Sequence, residues 1–538
     1  MTFAQLDTQL IGRLGDALAS QLPAFLARQR WFGSKARHIH AVQLADCIPV
    51  GLAPATALIV LARVDYAEGP AETYVIPLLP ASAESGHAPE TVVLRLPEPE
   101  TSSEILLFDA LADPEFLGAI LSDIRQRALH PAEKGELRAV PEPALRNLHL
   151  SPAGLTPRLL KGEQSNSSII YGDRLILKFF RRLEEGVNPD LEIGHFLTES
   201  VHFPGVPPLC GFLEYESKEG KTAALGILQE FIPNRGDGWR NTLSALESMF
   251  DLALRQPRPS PADARRGTRG VPRADVPPAV AAEFEKQMRL IGLLGRRTAE
   301  LHLALASSRS DAAFMPEPFT SEVREALERS FHDMAVRNLE LLRQKLDGLP
   351  DTVQPAARAV LKLEDALLLF FHSGLEKEIN AVRTRVHGDY HLGQVLFTGS
   401  DFLIIDFEGE PAKPLSERRV KRSPLQDVAG MLRSFHYASR SASLPSIQRL
   451  GEHAPAGAMI LRLARRWHAE ASQRFLQEYK KTAAGAPFVP QAPAEFDALL
   501  KLHLLEKAIY ELGYELNNRP AWLPIPLGGI EEILPPGH

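Results

Sequence analysis

Cysteine is almost missing from this chain. Cys47 and Cys210 are the only two in 538 residues, far apart and outside any ligand spacing. That excludes a zinc framework and a disulfide scaffold, and it fits a reducing cytoplasm. Long hydrophobic runs are missing too. The most apolar stretch, TALIVLARVDY from Thr56 to Tyr66, is too short to span a bilayer and reads as a strand. The opening residues offer no signal-peptide core, because Asp7, Arg13 and Asp16 interrupt them at helical spacing. Charge of one sign is scarce. A net charge of -7 on a chain that is 44% hydrophobic and 24% charged gives no reason to expect nucleic acid or an anionic membrane as a partner. There is no Walker A motif and no fixed-period repeat. What remains is a soluble cytoplasmic protein, too long for one hydrophobic core and so built of several domains.

Residues 1 to about 30 carry apolar positions at helical spacing. RQRWFGSKAR follows at Arg28–Arg37, then three β-type runs near 56–65, 73–80 and 91–96. A helix-plus-antiparallel-sheet domain is expected over 1–100, with Trp31 and Phe32 as packing residues. SSEILLFDALADPEFLGAILSDI reads as a return to helix. From Leu159 to Leu183 the pattern is strand and turn, with Gly172-Asp173 as a two-residue hairpin turn. Residues 255–280 are rich in Pro and Arg and poor in large apolar side chains, which predicts a flexible insertion. Without interleaved aromatics its basic excess reads as a solvated loop and not as a nucleic-acid patch. Beyond 281 nearly everything reads as helix, so the fold class is α+β. The expected division is 1–100, 101–232 with strands suited to a nucleotide, and 233–538, mainly helical.

The exception in the helical part is RVHGDYHLGQVLFTGSDFLIIDFEGEP, Arg385 to Pro411. QVLF and FLIIDF are β-type runs joined by the polar turn Thr398-Gly399-Ser400-Asp401. If that turn is central, Gln394 faces Ile405, and Asp406 lies at the open end of the hairpin with Asp389 just before it. A carboxylate with an amide carbonyl suits Mg²⁺ that keeps waters and phosphate oxygens. A third carboxylate, not needed for the metal, suits a base that takes the proton of a hydroxyl nucleophile. A surface hairpin with solvated acids is the plain alternative.

This layout resembles a kinase active site, H-R-D-x-x-x-x-N followed by D-F-G. Here His387-Gly388-Asp389 precedes Gln394 and then Asp406-Phe407-Glu408. Gln stands for Asn and Glu408 for Gly, which is closer to kinases of small molecules such as the aminoglycoside phosphotransferases. Lys178 in DRLILKFF resembles the strand lysine that binds phosphates. Asn188-Pro189 is a helix-start signal, and Glu192 in that helix is the expected partner of Lys178, with Glu199 as a second candidate. GEQSNSS, Gly162–Ser168, supplies Ser165, Asn166 and Ser167 as phosphate-facing donors in place of a glycine loop. ILQEFIP, 227–233, ends a strand where a hinge would bind adenine, which points to Glu230 and Ile232.

RQRWFGSKAR, GEQSNSSIIYGDRLILKFFRRLEEGVNPDLEI, VHGDYHLGQVL, IIDFEGEP, RRVKRSPLQDVAGMLRSFHYAS and EKAIYELGYELNNRPAWLPIPL together resemble a bacterial maltokinase over nearly the whole chain. The resemblance implies ATP-dependent phosphorylation of maltose at its anomeric hydroxyl, giving maltose 1-phosphate for α-glucan synthesis. It implies ATP and Mg²⁺ as cofactors, a cap domain, and trehalose synthase as a partner or attached domain. Asp389 would be the base, Gln394 and Asp406 the Mg²⁺ ligands and Lys178 the phosphate lysine. In the last block Glu506, Tyr510 and Tyr514 share a helix face, followed by Asn517, Arg519 and Trp522. Flat aromatics beside carboxylates suit a sugar, although core tyrosines would show the same spacing. Glu408 is counted with these sugar candidates. Asp427 is placed to bind the backbone of the catalytic loop, or simply to favour a helix N-terminus. Another sugar or amino sugar is the alternative acceptor. Gly388-Asp389-Tyr390-His391 also resembles the G-D-x-H of metal-dependent phosphohydrolases, but the further acid and histidine clusters such enzymes need are absent. A silent kinase fold is disfavoured, because base, metal ligands and lysine are all present.

Overall fold

The computed structural model describes residues 8–52, 55–82, 89–97, 104–150, 154–160, 166–255, 277–451 and 454–534. It divides into two compact units, Met1–Pro233 with Pro414–Ser416, and Asn234–Lys413 with Glu417–His538.

The first unit begins with helix α1 (Thr8–Arg28) and strands β1 (Ile39–Leu52), β2 (Ala55–Tyr66), β3 (Glu72–Ser82), β4 (Val92–Pro97) and β5 (Glu104–Asp109). Helix α2 (Pro114–Gln126), β6 (Leu129–Pro131), β7 (Gly135–Pro141), α3 (Pro143–Asn147), β8 (Pro157–Leu159), β9 (Asn166–Tyr171), β10 (Leu175–Phe180) and β11 (Arg182–Leu183) follow. Helix α4 (Pro189–His195), β12 (Leu209–Ser217) and β13 (Thr222–Glu230) complete it. Two antiparallel sheets result, in the orders β1-β2-β3-β5-β4, with β11 beside β3, and β6-β7-β12-β13-β10-β9-β8.

The first sheet is buried on both faces, and this explains the apolar run of β2. Leu58, Val60, Ala62 and Val64 pack with Leu14, Leu18, Leu22 and Phe25 of α1. The alternate residues Ala57, Ile59 and Leu61 join Phe116, Ile120 and Ile124 of α2, with side chains of the second sheet. A strand covered on both sides needs no polar alternation. Phe32 lies in the α1 core, with Trp31 against it, as expected of packing residues.

The structure departs from the sequence expectation at β5 and β1. Residues 104–109 are strand and not helix: β5 pairs with both β3 and β4. Leu107 faces one core and Phe108 the other, so the short apolar run carried no helical or strand signature of its own. Strand β1 was not foreseen. Register shifts between Ile39 and Ala41 and between Leu44 and Asp46 break the period-two pattern that would have marked it. At the other hairpin, Gly172 and Asp173 do adopt positive φ, 57° and 50°. Arg174 N–H donates to Tyr171 O at 3.0 Å, and Tyr171 pairs with Leu175, so Arg174 is a third loop residue.

The second unit contains α5 (Gly238–Arg255), α6 (Pro278–Leu305), β14 (Glu317–Pro318), α7 (Ser321–Lys345), α8 (Gln354–Lys362), α9 (Glu364–Glu376) and β15 (Val382–Arg383). The hairpin read from the sequence is β16 (Val395–Phe397) with β17 (Phe402–Ile404). Then come α10 (Leu415–Arg418), α11 (Leu425–Leu450), α12 (Pro455–Thr482), α13 (Pro493–Asn518) and α14 (Pro524–Ile533). Helix α11 is buried almost without interruption from Leu425 to Ser439, and α5, α12 and α13 pack around it. A helix hidden on all sides is the axis of a helical core. Most of the expected 255–280 insertion, residues 256–276, lies outside the described residues. Among the described residues no helix is long and apolar enough to cross a membrane.

Candidate active site

The hairpin has the register that its sequence spacing requires. Val395 pairs with Ile404 and Phe397 with Phe402, and Ile405 N–H donates to Gln394 O at 3.0 Å. Thr398 N–H closes the turn on Asp401 O at 2.9 Å. Arg297 of α6 grips the Asp401 carboxylate with Nε at 2.9 Å and a terminal nitrogen at 2.6 Å. Asp406 has φ 68°, a left-handed conformation that is uncommon for a side-chain-bearing residue and concentrates at functional sites.

The loop before the hairpin is anchored from inside the helical core. Asp427, in the first turn of α11 and 1% exposed, accepts from His387 N–H at 2.8 Å and Gly388 N–H at 2.9 Å. This is the contact expected of it. His302 Nε2–H donates to the same carboxylate at 3.1 Å, leaving Nδ1 to accept from Tyr479 O–H at 2.9 Å. Burial alone would raise the Asp427 pKa, but the His302 hydrogen bond and the nearby His302, His387 and Gly388 groups outweigh it and hold it below the ordinary value. The His387 ring donates from Nε2 to Ile405 O at 2.9 Å and accepts Asp389 N–H at Nδ1, 3.4 Å away. One buried imidazole thus ties the Asp389 backbone to the strand that precedes Asp406. Gly388 has φ 86°, a left-handed conformation that residues with a side chain rarely adopt, which accounts for glycine between His387 and Asp389.

The Asp389 carboxylate is 23% exposed and meets Lys507 Nζ of α13 at 3.4 Å. Lys507 belongs to none of the motifs read from the sequence. It also donates to Glu410 at 3.1 Å and lies 4.7 Å over the Tyr510 ring. Burial works against its charge, but Asp389 and Glu410 overcome that and raise its pKa. Glu410, 5% exposed, is held below its ordinary value despite burial by Lys507 and Lys413. Burial and Glu410 push the Tyr510 hydroxyl up to about 12, which keeps it a neutral donor.

A cavity of about 260 Å³ opens beside this network, lined by Gly388, Tyr390, Glu410, Glu506, Lys507 and Tyr510 among others. Two of the expected sugar residues, Glu408 and Tyr514, do not line this cavity. Glu410 lines it together with Glu506, whereas Glu408, two residues earlier in the turn after Phe407, is not in the lining. Tyr514 is 46% exposed and not part of the lining. It shares the helical face of Tyr510 but stands one more turn along the axis, about 6 Å further. A second cavity, of about 540 Å³, is lined by α5, α6 and the apolar hairpin residues Phe397 and Phe402 and carries none of the candidate catalytic side chains.

In the first unit, Lys178 sits in β10 between Ser168 and Ile227. The Asn188 side chain caps α4 through Asp190 N–H and Leu191 N–H, with Pro189 in the first turn. The Asp190 carboxylate, 2% exposed, lies 3.0 Å from Lys178 Nζ, in the same helix as the expected Glu192 and two positions before it. Asn188 bonds the Asp190 backbone and so fixes this residue at the buried start of the helix. Glu199 lies beyond α4, in the segment Phe196–Ser200. Asn166 and Ser167 belong to strand β9 and not to a phosphate turn. They pair with Phe180 and Phe179, and Ser167 Oγ accepts from Arg181 Nε at 2.9 Å. Ser165 lies outside the described residues. Glu230 ends β13 opposite Leu175, and Ile232 follows at the close of the first unit.

Residues 25–113 match the maltokinase N-terminal cap domain, and residues 266–445 match the phosphotransferase enzyme family. Two regions of the chain thus match known families: a maltokinase cap and a phosphotransferase domain. It is 24% identical over 376 residues, 69% of this chain and 72% of the relative, to a glucosamine kinase of Streptacidiphilus jiangxiensis. It is 26% identical over 384 residues, 70% of this chain and 79% of the relative, to a glucosamine kinase of Mycolicibacterium smegmatis. A solved glucosamine kinase in complex with glucosamine, ADP and inorganic phosphate superimposes with a TM-score of 0.60, covering 97% of this chain and 99% of that one at 18% identity. At that identity the likeness speaks for the fold alone. The fold is the kinase-like one of the aminoglycoside phosphotransferases, with an added N-terminal cap.

Proposed function

We propose that this phosphotransferase is an ATP-dependent maltokinase, moving the γ-phosphoryl of ATP to the anomeric hydroxyl of maltose. The observation that carries the reading is the Asp389 carboxylate, fixed by a buried loop and joined through Lys507 to a cavity of carboxylate, ammonium and phenol groups. Such a lining suits a polyol, which both donates and accepts. Asp389 would take the hydroxyl proton as the sugar oxygen bonds to phosphorus and the bond to the β-phosphate oxygen breaks, leaving ADP.

Asp406 and Gln394 offer a carboxylate and an amide oxygen at the open end of one hairpin, a donor set that fits Mg²⁺. When bound, the ion neutralises phosphate charge. The chain's own contribution is to hold these oxygens on the hairpin that Arg297 and His387 pin. Lys178, held by Asp190, is the phosphate lysine of this reading, with backbone groups near Glu230 and Ile232 for the adenine.

Maltose rests on the cap match, whereas the two curated relatives are glucosamine kinases, which favours an amino sugar as the second reading. Transfer of labelled phosphate from ATP to maltose, glucose, glucosamine, trehalose and streptomycin, with phosphorus NMR of the product, decides between them. A product phosphorylated at the anomeric carbon of maltose is expected. Exclusive use of glucosamine would replace maltose by the amino sugar, and no transfer to any of them would end the kinase reading.

A further inference from the structure

Within the cavity beside Lys507, one lining side chain has an uncompleted polar atom. His503 of α13 is 4% exposed and lines the cavity together with Phe331 and Glu506. Its Nδ1 lies 2.8 Å from Glu506 Oε2. Its Nε2 is buried and has no hydrogen-bond partner among the described residues. The ring cannot turn freely to find one, because Phe331 packs against it at a centroid distance of 6.1 Å and an interplanar angle of 80°. Buried polar atoms are nearly always paired, and an exception in a cavity wall calls for a partner from outside the chain.

We propose that His503 Nε2 accepts a hydroxyl hydrogen of the sugar acceptor and thereby selects the sugar. A carboxylate can only accept, so the hydrogen on Nδ1 points at Glu506, and in that tautomer Nε2 keeps a lone pair for a donor. A lone pair takes an O–H donor and repels phosphate or carboxylate oxygens, so the partner is a polyol group and not the nucleotide. The cavity therefore reads one hydroxyl through a histidine whose direction Glu506 and Phe331 fix. This also gives Glu506 a second duty, since it orients the histidine as well as lining the cavity. A site built to pair with a hydroxyl discriminates strongly against an analogue that lacks it, because its own buried atom is then left unpaired.

The inference rests on the sugar-kinase reading, and the test separates the two. Steady-state kinetics of the wild-type chain with maltose, glucose and glucosamine come first, followed by His503→Phe and His503→Gln. Calorimetric binding of the preferred sugar without nucleotide is measured on the same samples. His503→Phe is expected to raise the sugar KM and Kd about tenfold or more, with the ATP KM within about twofold. His503→Gln, which restores an amide near Nε2, is expected to recover part of the loss. Among monodeoxy analogues of the preferred sugar, one should lose as much with the wild type as His503→Phe loses with the intact sugar, and show no further loss in the variant. Unchanged sugar KM and Kd in both variants, with or without a lower Tm, would assign His503 to packing and overturn the proposal. If the wild type phosphorylates none of the sugars, the kinase reading itself has failed and this inference falls with it, before any variant is compared.

Discussion

Around the catalytic loop every fixing contact is buried. Asp427 and His302 are 1% and 0% exposed, and their hydrogen bonds run through three helices to the backbone of His387 and Gly388. The cavity face of α13 is built differently. Its Lys507 and Glu506 side chains are 22% and 14% exposed and are held by ion pairs and one aromatic face. Removing a buried, multiply bonded group leaves several donors unmade, whereas exchanging a partly open side chain disturbs little beyond its own contacts. On the proposed function, the chemistry would be locked to the core, and the choice of acceptor would fall to the face of α13. Such a division would let one phosphotransferase framework serve different acceptors.

The sharpest way to break the locked side is Asp389→Asn. Without the proton acceptor kcat should fall about a hundred- to ten-thousandfold, with MgATP binding nearly unchanged by calorimetry. Retention of most of the kcat would remove Asp389 from the role of base.

Asp427→Ala should cost both stability and rate. Three buried donors lose their acceptor, each worth about 1–3 kcal/mol when left unmade, so a clear fall in Tm and in kcat is expected. Because the folded-state pKa of Asp427 is depressed, its contribution is present at neutral pH and is lost as pH falls through that lowered value. Wild-type stability should therefore drop on acidification below the usual carboxylate range, and Asp427→Ala should flatten that limb. Parallel acid limbs in wild type and variant would contradict the account.

A smaller asymmetry is expected at the hairpin end. Asp406→Ala should raise the Mg²⁺ concentration needed at fixed ATP more than Gln394→Ala does, since a carboxylate brings charge and an amide only a dipole. Equal shifts in a Mg²⁺ titration would show that this charge is not felt at the site.

On the adjustable side, Tyr510→Ala should raise the sugar KM about tenfold, the loss of one partner or ring face being about 1–3 kcal/mol, with ATP KM and Tm little changed. Tyr514→Ala, one turn further on, should change the same KM less than about twofold. Equal effects of the two would extend the sugar site beyond the cavity.

Much of this was legible because it is short-range. Turn chemistry with residue spacing set the register that brings Gln394 opposite Ile405, and Asn188-Pro189 marked the start of α4. The contact of Asp190 with Lys178 was not legible, since both acids of this helix lie in its first turns and spacing alone does not show which one is buried there. On α13 the helical period brought Glu506, Tyr510 and Tyr514 together. The cavity instead uses His503, Glu506, Lys507 and Tyr510, spaced i, i+3, i+4 and i+7, because its extent along the axis is set by the catalytic loop that faces it. Lys507 carries no motif of its own. Its meaning comes from Asp389, which is 118 residues away in the chain.

The doubly covered first sheet bears on how the cap can be handled as a piece of protein. The matched cap region ends at residue 113, but its inner face, with Ile48, Val50, Ile59 and Phe108, shares a core with Phe116, Ile120, Leu137, Ile169 and Leu177 beyond that point. A cut at the family boundary would therefore leave two sticky halves in place of two domains, each exposing apolar surface of the kind that drives aggregation. Exchange of caps between relatives would have to carry matching residues of α2 and the second sheet with it. Inheritance of the cap is tied to the strands that carry Lys178.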